Sequence, residues 1–540
     1  MKDISSTGSF IDFTLENFIY VDKTEYIPKL VKLKRVFISR PRRFGKSLTL
    51  DTIATLFETG VEPYFKGTWI YDKWTEPTYP VLRLNFLDLD KYSLEHFKQK
   101  LNAIISSFAR DINVKNYEEK VEPEDTIYFL LDELRKEKRQ IVILIDEYDC
   151  QMTANINNET LYKQFQEKIK SFYDTIKNKW PIKFLGITGV TRLKDVEIFS
   201  IGSDIRDITN ASAYSQMIGF TRDEIKKYYI DYLKLAASYE NNCNVNNVTE
   251  AQIESLLDRL AKNYDGYCFD EFYKKKVFST WSVNKFFQNI VKNKFVDFGE
   301  YWYDNGGLPS ILVNYLKTHE LNIFEYLDKD KFLKVSSDDF KNPTALTTIN
   351  QNVLMCQTGY LTLRSDLNKT STVALGIPNG EIYKALNRLL ANNIFKGNTD
   401  ITDDYGRSLL EVGTVDDIIN LFNSALNSVS YDNYPIVSES SVQNMLKLYL
   451  LGAHQKVLSE VHEAKGRADL VVNTDNRRIV FEFKYAKNET EAKSKLLDAV
   501  EQIKTRDYGN IVPKKTELLR IAAVFNADPK VRAFTEYQAV

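Results

Sequence analysis

At 540 residues, 43% of them hydrophobic and 27% charged, the chain is long enough for about two to four globular domains, each with its own core. A formal net charge of −2 gives no global pull toward nucleic acid or membranes, so any nucleic-acid contact must come from a local patch. The four cysteines and four histidines are scattered, which argues against a disulfide framework and a Cys- or His-based metal site; with no signal-type N-terminus and no apolar run of about 18 residues, the chain reads as cytoplasmic, with no membrane partner.

Taken in order, Tyr20-Val21-Asp22-Lys23-Thr24 leads into a short helix expected over Glu25 to Lys34, capped by Asp22 or Thr24. Residues 35–39 read as a strand, and Leu48 to Phe57 carries apolar residues at helical spacing. Between them, Gly45-Lys46-Ser47 has the chemistry that ends a phosphate-binding loop. Glycine lets the backbone approach phosphate, the lysine reaches the terminal phosphates, and the serine hydroxyl holds Mg²⁺. The helix start adds free N–H groups and the positive end of its dipole. Arg40 stands where the first glycine of G-x-x-x-x-G-K-[ST] is expected, and Pro41 lacks a backbone donor.

Val81 to Phe86 alternates like a strand, and helices are expected near 93–113 and from Asp125 to Lys136. Ile141 to Ile145 is a continuous apolar run ending in Asp146-Glu147, the pattern of a strand buried on both faces of a parallel sheet. Acids delivered at such a strand tip suit nucleotide hydrolysis: Asp146 to hold Mg²⁺ through water, Glu147 to polarise the attacking water. A kinase would use an acid differently, to activate an acceptor hydroxyl. A further buried strand, from Ile182, ends in Thr188-Gly189-Val190-Thr191-Arg192. Ligands of open α/β sheets bind at the carboxyl ends of strands, so Thr191 or Thr188 is the candidate to sense a terminal phosphate.

These pieces together resemble the divergent AAA-type ATPase-like domain that many bacterial proteins carry ahead of a PD-(D/E)XK nuclease-like domain. The resemblance rests on Tyr20 to Thr24, the run Arg40-Pro41-Arg42-Arg43-Phe44-Gly45-Lys46-Ser47, Ile145-Asp146-Glu147-Tyr148-Asp149 and Thr188 to Thr191. It covers almost the whole chain. It implies that R-P-R-R-F-G-K-S is that family's own form of the phosphate loop. Arg40, Arg42, Arg43, Phe44, Gly45, Lys46, Ser47 and Leu48 would then cradle ATP, with Asp146 and Thr191 completing the site.

Residues 222 to about 390 read as mostly helical and aromatic, opened by the capping signature Thr221-Arg222-Asp223-Glu224. Tyr264-Asp265-Gly266-Tyr267, Tyr301-Trp302-Tyr303 and Gln357-Thr358-Gly359-Tyr360 recur in the family the chain resembles and fit a lid and connector. The polar stretch 398–407 is a boundary candidate. Farther on, residues 466–472 and 477–485 read as a hairpin around the turn 473–476. A four-residue turn sets Asp469 opposite Val480, which gathers Asp469, Glu482 and Lys484 on one face. Two carboxylates and a lysine so grouped suit metal-dependent phosphodiester cleavage: the acids bind Mg²⁺, and the lysine orients its water or steadies developing charge. Gly466-Arg467-Ala468-Asp469, followed by a helix containing Gln502, resembles the PD-(D/E)XK core, with Ala468 in place of the proline. Glu439 and Glu460 compete to supply a further acid.

The expected architecture is α/β throughout: a P-loop domain with a parallel sheet over 1–221, a helical connector over 222–397, and a restriction-endonuclease-like domain over 398–540. ATP and Mg²⁺ are the expected cofactors, DNA or RNA the expected partner, and an oligomer is compatible with the sequence. The rival reading is a nucleotide-driven switch whose C-terminal domain binds nucleic acid or protein without cutting. The C-terminal region, with about as many acids as bases, shows no strong phosphate-binding stripe, which weighs against tight nucleic-acid binding.

Overall fold

A computed structural model of the chain describes residues 1–193, 204–304, 310–316, 319, 323–343, 345–395, 404–453, 456–463, 466–508 and 516–540. The chain divides into two compact units, Met1–His319 with Asp330–Ile382, and Glu320–Lys329 with Tyr383–Val540.

In the first unit, β1 (Arg35–Ser39), β2 (Val81–Asn85), β3 (Ile141–Asp146), β4 (Ile182–Gly189) and the short β5 (Arg206–Asp207) form an all-parallel sheet in the order β2-β3-β4-β1-β5. The uninterrupted apolar runs of β1 and β3 are explained by burial on both faces: all of β1 and Ile141 to Ile145 are buried. β4 lies between β1 and β3. Its register puts Ser39 beside Gly189 and Ile145 beside Ile187, so the loop after β1 and the acids after β3 flank the tip of β4. Gly189 has to be glycine, because a Cβ there would meet Asp149 Oδ1 at 2.7 Å and crowd the Tyr148 ring.

The expected helix after Thr24 is shorter than its sequence pattern, Ile27–Leu33 after a 3₁₀ turn at Thr24–Tyr26. The capping box at Thr221 forms as expected: the Thr221 hydroxyl accepts from the Glu224 N–H and Glu224 accepts from the Thr221 N–H. Two expectations for 222–397 change. The stretch is not only helical: β6 (Leu333–Ser336), β7 (Thr362–Leu363) and β8 (Thr372–Gly376) make a small antiparallel sheet in the order β6-β8-β7. Strands this short show too little alternation to be distinguished from turns. Nor is it a separate connector. Apart from Glu320–Lys329, residues up to Ile382 share a unit with the parallel sheet, where the Phe44 ring at the phosphate-loop position packs edge-on against Tyr267, Phe269 and Trp302 at 4.7, 5.5 and 6.1 Å.

The second unit carries β9 (Lys456–Glu463), β10 (Gly466–Asn473), β11 (Arg477–Ala486), β12 (Glu517–Asn526) and β13 (Ala533–Ala539) in the order β13-β12-β11-β10-β9. The sheet is mixed: β11 and β12 run parallel, joined through the helix Glu489–Arg506, and the other pairs are antiparallel. Val471, Val480 and Ala522 pack with Ala499, Val500 and Ile503 of that helix. Phe481 and Phe483 point the other way, toward Phe422 and Phe534. Among the described residues no helix is long and apolar enough to cross a membrane.

Candidate functional site

The turn after β1 is built around two left-handed residues, Arg43 (φ 68°) and Gly45 (φ 98°), the second capping the helix Lys46–Thr59. The first N–H groups of that helix have no partner within it and are directed outward from its start, as anion binding requires. Lys46 Nζ donates to the carbonyls of Arg40 (3.1 Å) and Pro41 (3.3 Å) and lies 3.6 Å from Glu147 Oε1. Ser47 Oγ donates to Asp146 Oδ2 at 2.5 Å. The far oxygen of Asp146 accepts from the Thr188 hydroxyl on β4. Glu147 itself has φ 50°, a conformation costing a non-glycine residue roughly 1–3 kcal/mol and typical of functional sites. Lys46, Ser47, Asp146 and Glu147 therefore come together, with Gly45 capping the helix that carries the first two, as their sequence pattern implied, whereas Leu48 lines an adjoining cavity.

The other expected loop residues divide. Arg40, 1% exposed, donates to the carbonyls of Ser39 and Thr209 (2.9 and 2.6 Å), and its guanidinium stacks 4.0 Å from the Phe269 ring centroid. Burial pulls it down to about 9. Arg43 donates to the carbonyls of Tyr301 and Trp302 and covers the Trp281 ring at 4.6 Å. The side chains of Arg40, Arg43 and Phe44 thus hold the loop to the protein and leave only their backbone for a ligand, a correction to the expected cradle. The side chain of Arg42, half-buried, makes no hydrogen bond or ion pair among the described residues. Thr191 is also reassigned. It is fully buried, and its hydroxyl and N–H both donate to Asp149 Oδ2 (2.5 and 2.6 Å), so Thr188 is the threonine that reaches the acids. On the other side of the loop a cavity of about 170 Å³ is lined by Tyr20, Tyr26, Gly45, Met217, Ile218 and Trp281.

In the second unit the hairpin pairs Val471 with Val480 and Asn473 with Arg478. The expected pairing of Asp469 with Val480 is off by two residues, because the turn lies one residue later in the chain than expected. Continuing the ladder sets Asp469 beside Glu482. A two-residue shift preserves the face, so Asp469, Glu482 and Lys484 still converge. Asp469 Oδ2 accepts from the Phe483 N–H at 2.8 Å, and Lys484 Nζ donates to Glu482 Oε1 at 2.8 Å. Glu482 is fully buried, and its Oε2 has no hydrogen-bond partner. Burial, then the neighbouring Asp469 carboxylate, push Glu482 up to about 7, against the opposing pull of Lys484. Burial lowers Lys484, but its bond to Glu482 and the surrounding acids outweigh that and raise it.

Residues 5–199 match the family model described as predicted AAA-ATPase, and residues 437–534 match that of the PD-(D/E)XK nuclease superfamily. The chain joins an AAA-ATPase-like segment to a PD-(D/E)XK nuclease-like segment. A relative from Azotobacter chroococcum mcd 1, described as an uncharacterized protein in the vnfD 5' region, is 25% identical over 533 residues, covering 95% of this chain and 94% of its own. Two solved structures also align. Cdc6p from Pyrobaculum aerophilum covers 68% of this chain and 93% of its own at 11% identity and TM-score 0.23. The Aeropyrum pernix ORC1 protein in complex with DNA covers 71% and 97% at 10% identity and TM-score 0.26.

Around the acids of the PD-(D/E)XK-like segment stand two groups that the sequence pattern had offered, Glu439 and Gln502, and two that it had not, Arg506 and Tyr508. Glu439 Oε1 lies 3.6 Å from Lys484 Nζ, favouring Glu439 as the further acid; the side chain of Glu460 lies outside the described residues. Arg506 feels the charges of Glu482 and Asp469, and it donates to the Tyr508 hydroxyl (2.9 Å), as does Gln502 (3.3 Å). Only the helix crossover brings Arg506 back to the acids, and no local pattern announces that. Among the described residues no group of three or more His, Cys, Asp or Glu side chains is placed to hold a metal, so a Mg²⁺ ion here would rest on the hard oxygens of Asp469 and Glu482, one of them buried without a partner, with waters filling most of its shell. In the AAA-ATPase-like segment, Ser47 and Asp146 are likewise oxygen donors already in contact.

Proposed function

We propose that the chain hydrolyses ATP and uses its nucleotide state to control Mg²⁺-dependent cleavage of DNA or RNA by the second unit. The observation that carries the reading is the convergence of Asp469, Glu482 and Lys484, with a buried carboxylate oxygen left without a donor. At the phosphate loop, Lys46 leaves the loop carbonyls for the terminal phosphates, the helix N–H groups hold the phosphate oxygens, and the cavity beside Trp281 receives the base. Glu147 orients the attacking water and takes its proton. At the second site Asp469 and Glu482 hold the metal, Lys484 steadies the developing negative charge, and Arg506 engages the neighbouring phosphate. A bound divalent ion there supplies Lewis-acid polarisation and a water of lowered pKa.

One observation favours the binding-only reading: Lys484 already bonds Glu482 and approaches Glu439, so the acids are partly neutralised from within. The purified chain incubated with labelled DNA and RNA, with Mg²⁺ or Mn²⁺ and with or without ATP, separates the two. Metal-dependent cutting that Asp469→Ala abolishes supports cleavage. Retention of substrate without cutting under every condition makes the binding-only reading the function.

A further inference from the structure

The N-terminal edge of the parallel sheet, opposite the phosphate loop, holds a cleft of about 490 Å³. Sheet direction sets its place: β1 enters at Arg35 and β4 at Ile182, both at the cleft, whereas the loop follows Ser39 at the far end of β1. The cleft is basic in a chain of net charge −2: Lys32, Lys34, Arg35, Lys73 and Lys183 line it, against a single lining carboxylate, Glu76. Glu76 is occupied by Lys183 (2.7 Å), and Arg35 by Asp204 (2.7 Å). The side chains of Lys32 and Lys34 are exposed and make no hydrogen bond or ion pair among the described residues. Two tryptophans share the lining, and one of them, Trp180, is 55% exposed.

Lysines at helix C-termini are explained in part by the helix dipole: Lys34 ends the helix Ile27–Leu33. That account says nothing of Trp180, whose exposed ring lines the same cleft as these lysines. Unpaired cations beside an exposed aromatic face are what a single-stranded nucleic acid needs, since its phosphates meet the lysines while an unpaired base stacks on the ring. A duplex would offer only its phosphates, because its bases already stack on one another.

We propose that this cleft is a binding site for single-stranded nucleic acid, with Trp180 as the stacking platform and Lys32 and Lys34 as phosphate partners. The site is remote in sequence from the nuclease-like residues and does not depend on their cutting.

The test uses the full chain in EDTA without nucleotide, which silences both proposed catalytic sites. A labelled oligo(dT) of about 12 nucleotides, within the range of single-strand sites, is titrated by anisotropy, with oligo(U) and a duplex of equal length as further arms. Trp180→Ala is expected to weaken oligo(dT) binding about tenfold or more. Lys32→Ala/Lys34→Ala is expected to flatten the plot of log affinity against log salt by about 1.4, two phosphate contacts' worth for a single strand. Tighter oligo(U) than oligo(dT) binding, with the same variant losses, supports the site and makes RNA its ligand. Binding that both variants leave unchanged, duplex binding as tight as single-strand binding, or no binding by the wild-type chain each overturns the proposal. A fall in melting temperature without loss of affinity also overturns it, since the lysines would then serve the helix end alone.

Discussion

Arg40 and Arg42 stand two residues apart in one motif and end in opposite environments, one buried on Phe269 and two carbonyls, the other half-buried with no side-chain hydrogen bond among the described residues. Arg42→Ala should therefore weaken ATP binding, roughly tenfold for one charge-assisted phosphate contact, and leave the melting temperature nearly unchanged. Arg40→Ala should instead cost stability, roughly 2–3 kcal/mol for a buried cation's hydrogen bonds. Calorimetric titration and thermal melting of the two variants check this, and equal effects on both quantities would contradict it. In the sequence Arg40 is marked only by standing where a glycine is expected, and nothing there separates the environments of the three arginines of the loop. Their partners, Thr209 for Arg40 and Tyr301 for Arg43, lie 169 and 258 residues away, beyond any local pattern. Thr191 departs from its expected role for a related reason: a threonine at a strand tip gives no sign of a buried acid beneath it. Glu381 has no sequence signal at all. Fully buried, it accepts from the Ser282 hydroxyl (2.7 Å) and the Trp302 N–H (2.8 Å), and burial raises it to about 8. A carboxyl raised in the fold binds a proton that the unfolded chain releases, so its stabilisation is complete below about pH 4.5 and is lost as pH rises through about 8. Relative to Glu381→Gln, the wild-type protein should lose up to a few kcal/mol across that window. Parallel pH–stability curves for the two proteins would show the carboxyl to be ionised throughout.

At the scale of elements, the strands that deliver the sites were the most legible. Apolar runs announce β1 and β3, the second mostly β-branched, and the hairpin announces itself by its turn. The hairpin also shows how a site survives an error of register: an odd shift would have turned Asp469 away from Glu482, whereas the actual shift of two keeps them together. The boundary near residue 398 was less legible, because polar composition marks a loop and not the edge of a core; residues 398–403 of that stretch lie outside the described residues. The second unit begins its long segment at Tyr383, and Phe395 packs edge-on against Tyr449 at 5.2 Å, so part of its core precedes that loop. A fragment starting at Asn398 discards this contact, and losing a buried Phe alone costs about 3–5 kcal/mol. A fragment from Tyr383 to Val540 should melt cooperatively in the calorimeter, and one from Asn398 should melt lower or without a cooperative transition. Equal melting of the two would mean that residues 383–397 contribute nothing to that core.

At the scale of the whole molecule, near-neutral charge conceals a local concentration of cations, which is why composition gave no global pull toward nucleic acid and left any contact to a local patch, such as the one proposed at the sheet edge. The two acid clusters belong to different units and different elements, so each should be removable without the other. Glu147→Gln should retain ATP and lose most turnover, because an amide cannot take the water's proton. The central claim is that one chain carries both activities and that nucleotide state controls cutting. Its most direct test is the rate of Mg²⁺-dependent cleavage of a labelled nucleic acid, followed alongside ATP hydrolysis in wild type, Glu147→Gln and Asp469→Ala. The account predicts that Asp469→Ala hydrolyses ATP at the wild-type rate without cutting, and that Glu147→Gln changes the cutting rate as ATP turnover falls. Undiminished cutting by Asp469→Ala, or cutting indifferent to ATP in all three proteins, would contradict it.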